Sequence, residues 1–155
     1  MKKLILTAAV VISLAGCANE TKKEKTVAAF DEIFSQVKDE YAPDRRLKTF
    51  EAKLEVSENA DTIVLRGSTT EPGAKDALVA KLAEAGIEAL DSMITLPAAS
   101  LGDKVFGITN QSAVNFRYAP GYSAESATQT VMGAPLQILE KRGGWTRAIT
   151  PEGYI

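Results

Sequence analysis

Residues 50–86, FEAKLEVSENADTIVLRGSTTEPGAKDALVAKLAEAG, change their hydrophobic period once, and that change decides the fold. Phe50, Ala52, Leu54 and Val56 alternate with Glu51, Lys53 and Glu55, which predicts a half-buried strand. Ser57 to Asp61 carries turn residues, and Thr62 to Arg66 returns as a second strand. Glu71-Pro72-Gly73 then opens a helix whose apolar residues are Ala74, Ala77, Leu78, Leu82 and Ala85, with Gly86 as its stop. A third strand is expected from Ile87 to Leu96, ending at Pro97.

Upstream, Val27, Phe30, Phe34, Val37 and Tyr41 recur at spacings of three and four, with Ile33 beside them, which predicts a helix capped by Thr26 and stopped by Pro43. Residues 26–97 are thus expected to form a small α-β-β-α-β domain, a sheet covered by helices. Arg45, Arg46 and Arg66 are candidates for gripping an anion, but loop and strand-face positions predict them exposed. Glu51, Glu55 and Glu58 suggest a carboxylate pair for sugar hydrolysis. Glutamates at alternate strand positions share one outward face, however, and a solvated face is the expectation.

Downstream, residues 98–103 (AASLGD) form a short linker, and from Lys104 the texture changes to short strands broken by Gly, Pro, Asn and Ser. Strands are expected at 105–109, 114–117, 128–132, 136–139 and 145–150, with a loop at 118–125 and a tight turn at Arg142-Gly143-Gly144. Gly153-Tyr154-Ile155 looks like the start of a further strand with an unpaired edge. The expected fold class is α+β: the α-β-β-α-β domain followed by an all-β barrel, residues 104–155, incomplete at its C-terminus.

Composition removes several function classes. The chain has 155 residues, a formal charge of −2, one cysteine and no histidine. Ser-His and Cys-His nucleophile pairs are excluded because the base is missing, and no zinc site built on Cys and His is available. No metal or cofactor is expected, and no nucleic acid, because a basic surface is not in evidence. Met1-Lys2-Lys3 precedes an apolar run from Leu4 to Ala15, twelve residues where a bilayer span needs about 20. That pattern fits a secretory signal.

Leu14-Ala15-Gly16-Cys17 directly after this run resembles the lipobox of bacterial lipoproteins. The resemblance implies cleavage before Cys17, a lipid on its thiol, and anchorage to a bacterial membrane in the cell envelope. Cleavage would remove two basic residues and no acids, so the formal charge would fall from −2 to −4. Residues 1–17 are then the signal and 18–25 a mixed-charge tether. The tether carries no uniform acidic run, so the membrane and leaflet stay open.

Three motifs in the last third occur in order: Val114-Asn115-Phe116-Arg117-x-x-Pro120, Gly133-x-Pro135-Leu136-x-Ile138-Leu139, and Gly144-Trp145. They resemble a bacterial SH3-like domain. Together with the lipobox and the α/β unit carrying EYAPDRR and IEALDSMITLP, the chain resembles the N-terminal, non-catalytic part of NlpC-type, papain-like cell-wall cysteine peptidases as found in Bacteroidetes. Such enzymes cleave peptidoglycan stem peptides between γ-D-glutamate and a diamino acid. The resemblance implies a stem-peptide partner and a downstream catalytic domain in the parent chain, these residues positioning substrate without catalysing. The alternative is a complete, non-enzymatic SH3-like lipoprotein that binds cell-wall peptide or a partner protein.

Recognition of a peptide's amino end would use a loop carboxylate and aromatics. Tyr118, Tyr122 and Glu125 are the candidates, each set against an ordinary exposed loop position. Arg117 could bind a carboxylate or serve a structural hydrogen bond. Trp145 could be a stacking platform or pack at the barrel rim, and Asn115 is expected to support strand geometry.

Overall fold

The computed structural model of the chain describes residues 8–57 and 62–155, with side chains from residue 22 onward. Glu58, most of the expected 57–61 turn, the first seven residues and the Cys17 side chain lie outside this description. The elements are α1 (Ala8–Tyr41), β1 (Phe50–Val56), β2 (Ile63–Thr69), α2 (Pro72–Glu84), β3 (Leu90–Thr95), a 3-10 turn (Ala99–Leu101), β4 (Phe106–Ile108), β5 (Ala113–Arg117), β6 (Ser126–Val131), β7 (Pro135–Arg142) and β8 (Trp145–Ile149). The class is α+β.

α1 begins well before Thr26, which is an interior residue and not a cap: its Oγ1 donates to Lys22 O at 3.0 Å. No proline interrupts 8–41, so nothing in the backbone chemistry ends the helix until Pro43. Helix α1 therefore runs through the stretch expected to be a tether. Among the described residues no helix is long and apolar enough to cross a membrane.

β1 pairs antiparallel with β2, and β3 lies parallel to β2 on its other side, so β2 is central and α2 is the crossover. Phe50, Leu54 and Leu65 face Phe30, Val37, Leu78 and Leu82 in one contiguous core, closed below by Ile87 and Met93. Burying side chains of this size contributes roughly 1.5–3 kcal/mol each, before chain entropy is set against it. α2 ends as its sequence predicts. Gly86 has φ +73°, its N–H donates to Ala83 O, and Ile87 N–H donates to Leu82 O at 2.8 Å. This cap occupies Ile87, so β3 starts at Leu90 instead. Lys75 pins α2 to β3 through Asp91 (2.8 Å) and Met93 O (3.2 Å). Burial works against the Asp91 charge, but hydrogen bonds from Lys75 and the Met93 amide outweigh it and hold the carboxyl below its usual range.

The second unit differs from the expected barrel. Its strands make two small open sheets, β4-β7-β8 and β5-β6, and among the described residues no ladder closes them into a ring. Register shifts fall between Phe116 and Arg117 and between Ile138 and Glu140, and such bulges bend strands locally. Buried Thr109 joins the sheets: its hydroxyl donates to Val131 O and accepts from Ala134 N–H. The segment 153–155 is not a strand. Gly153 N–H donates to Thr150 O at 2.9 Å and Tyr154 N–H to Thr150 Oγ1 at 3.2 Å, so a local turn holds these amides. Ile155 N–H reaches across to Arg46 O of the first unit at 2.8 Å.

The two units meet on the outer face of the first sheet. Ser68 faces away from the helices, yet it is fully buried. Its cross-strand partner Glu51 is exposed, as a solvated strand face predicts, and its Oε1 also accepts a 2.8 Å bond from Arg147 of β8. Glu55, paired with Arg66 at 2.7 Å, keeps the exposed strand-face role as well. The expected linker is anchored as well, since Ala98 N–H donates to Leu139 O at 2.8 Å.

A cleft between the two units as the candidate functional site

The turn between α1 and β1 forms one lip of the site. Asp44 Oδ1 accepts the Arg46 N–H at 2.9 Å, and the same carboxylate receives Arg46 Nε (2.9 Å) and Nη2 (2.7 Å). This is an Asx-type turn locked by its own ion pair. The Arg46 hydrogen bonds hold the Asp44 carboxyl well below its usual value of 3.8, at about 2, and Asp44 in return raises the Arg46 guanidinium. The turn aims Arg45 across to the second unit. Its guanidinium lies 4.3 Å from the Tyr118 ring centroid and 3.2 Å from Glu125 Oε2.

The loop 118–125 forms the other lip. Arg117, at the β5 bulge, donates through Nη1 to Ala124 O at 2.6 Å, while Tyr118 N–H donates to Glu125 O at 3.1 Å. Asn115 Oδ1 accepts from Gln129 Nε2 across the β5-β6 pair. Arg117 thus makes a structural hydrogen bond and also lines the cleft.

At the far end sits a charged cluster. Glu140 is buried, and its Oε2 accepts from Arg142 Nε at 2.9 Å. Arg147 Nη1 lies 3.2 Å from Glu140 Oε1 but out of line for a hydrogen bond, leaving that oxygen unsatisfied. Both arginines also reach Ser68 Oγ, at 3.3 and 3.4 Å. A buried carboxylate needs such company, because an uncompensated charge in this setting costs several kcal/mol.

Between these features lies a cleft of about 460 Å³. Phe50, Val114, Phe116, Pro120, Leu136, Trp145 and Ala148 supply apolar wall. Lys38, Arg45, Lys48, Arg117, Arg142 and Arg147 also line it, against two acidic side chains, Glu51 and Glu140. Concave, largely apolar and set between units, it has the form of a small-ligand site.

Of the residues singled out from sequence, Arg45, Glu51, Asn115, Arg117, Tyr118 and Trp145 line the cleft. Tyr122 does not. It is 89% exposed and packs its ring 5.2 Å from that of Trp145 at the edge. Glu125 sits at the mouth, held by Arg45. Arg45 was a candidate for gripping an anion, whereas Lys38, Lys48, Arg142 and Arg147 were missed. One signal existed for Arg147, which shares strand parity with Trp145 and therefore its face. Among the described residues no group of three or more potential metal ligands comes together. Compared with family models, curated proteins and solved structures, the chain matches none.

Proposed function

We propose that this chain is a lipid-anchored cell-envelope protein whose cleft binds the peptide stem of peptidoglycan. The observation that carries this reading is the pairing of an aromatic wall with an excess of cations in one inter-unit cleft. Stem peptides are short, flexible and rich in carboxylates, so guanidinium groups complement them and apolar walls cover their alanine side chains. The motifs around Arg117, Pro135 and Trp145 support reading the second unit as an open variant of the bacterial SH3-like domain. The lipobox-like Leu14–Cys17 supports the anchor.

In this reading the residues bind and position, and peptide-bond cleavage belongs to a catalytic domain outside them, as in NlpC-type peptidases. Calorimetric titration of the purified chain with the stem tetrapeptide L-Ala-γ-D-Glu-diaminopimelate-D-Ala tests the binding. Saturable one-to-one binding is expected, and heats no larger than dilution would remove the proposal. The anchor is tested separately: Cys17→Ser should abolish incorporation of labelled fatty acid, and label that persists would refute it.

A further inference from the structure

The cleft's charges show which group of a ligand it would hold. The whole chain carries a net charge of −2, yet six cationic and only two acidic side chains line the cleft. Several of the six are already matched. Arg147 and Arg142 serve Glu140 and Glu51, and Lys48 serves Glu71 at 3.1 Å. Lys38 has no ion pair among the described residues either, and its Nζ lies 5.6 Å from the Phe34 ring centroid. Arg117 is the unpaired guanidinium. Half-buried beside Tyr118, it has no ion-pair partner among the described residues, and its one hydrogen bond goes to a neutral carbonyl. A partly desolvated guanidinium with a single neutral acceptor leaves donors that match a carboxylate's two oxygens.

Arg45 stands on the opposite lip, and its acceptor is Glu125, whose oxygens lie 3.2 and 3.4 Å from one nitrogen. Both partners are about two-thirds exposed, so the bond is weak and exchangeable. It joins residues 80 positions apart, from one unit to the other, at the mouth of the cleft.

We propose that Arg117 and Arg45 form a carboxylate-binding clamp, and that Glu125 is an internal carboxylate which occupies Arg45 until a ligand carboxylate displaces it. The ligand class is a small carboxylate with an adjoining apolar or aromatic group, carried by the Phe116 and Trp145 wall. Glu125 then opposes binding, the reverse of a role in holding a ligand's amino group. This rests on the cleft being a binding site, though not on the stem peptide being its natural occupant.

The test uses the purified chain and two probe pairs: the stem tetrapeptide against its fully amidated form, and N-acetylphenylalanine against its amide. Each carboxylate form should bind about ten-fold more tightly than its amide. Arg117→Gln should lose about ten-fold in affinity for the carboxylates, and Arg117→Lys should recover part of it. Glu125→Gln should tighten carboxylate binding by about three-fold, because it removes the competitor. This variant leaves the Arg117 bond to the loop intact, so it remains informative if Arg117→Gln misfolds. Weakened or unchanged binding in Glu125→Gln overturns the proposal, as does equal binding of acid and amide. If N-acetylphenylalanine binds with the expected variant pattern and the tetrapeptide does not, the carboxylate clamp stands and the stem-peptide reading falls.

Discussion

Asp44 accepts both the amide and the guanidinium of Arg46, and the turn this makes sets the direction of Arg45. Its depressed pKa makes the turn sensitive to acid. A carboxyl lowered from 3.8 to about 2 contributes stability that is complete above about pH 4 and is lost as pH falls through about 2. An NMR titration of the Asp44 carboxyl should give a midpoint near 2. The stability difference between wild type and Asp44→Asn should shrink over the same interval and narrow further at high salt, since the pair is exposed. A midpoint near 3.8 would show that the turn is open in solution. Pro43 marked the end of the helix in the sequence, but nothing local announced the Asp44 turn or Glu125 as the partner of Arg45. The same holds for Glu51, whose outward position was legible while the Arg147 that binds it comes 96 residues later.

β1, β2 and α2 were legible because each buries one face against one core, so a period of two or of 3.6 had to appear in the residues. What misled was local competition. The helix α1 has no breaker before Pro43, the Gly86 cap takes Ile87 out of β3, and the β7 bulge buries Ile138, Leu139 and Glu140 in succession. Alternation fails at such a bulge, and a charged residue lands inside. The central strand supplies a sharper prediction. Gly67 pairs with Ala52, and a Cβ there would sit 1.9 Å from Glu51 O and 2.9 Å from Ala52 Cα. Backbone atoms of a paired strand cannot move aside without breaking the ladder. Gly67→Ala should therefore destabilise the chain by about 3 kcal/mol in urea unfolding. A change below about 0.5 kcal/mol, the usual range for innocuous surface changes, would mean that β1 and β2 are not in this register.

The two units are joined at a seam: Arg147 on Glu51 and Glu140, Ser68 buried beneath, and Arg45 across the mouth. Both helices lie in the first unit, and the chain's one tryptophan lies in the second. Helical circular dichroism and Trp145 fluorescence therefore report on different units, and a coupled seam predicts coincident midpoints in urea. Arg147→Met removes a charge that accompanies buried Glu140 and should cost about 3 kcal/mol, with the two midpoints separating. Separate midpoints already in wild type would mean that the units fold independently and the cleft is not preformed. Trp145 also lines the cleft, which makes it a direct reporter of occupancy. Titration with the stem tetrapeptide while following Trp145 emission should give a saturable change that is weakened about ten-fold by Arg117→Gln. Emission that stays flat across a concentration range in which calorimetry records binding would place the ligand elsewhere and contradict the assignment of function to this cleft.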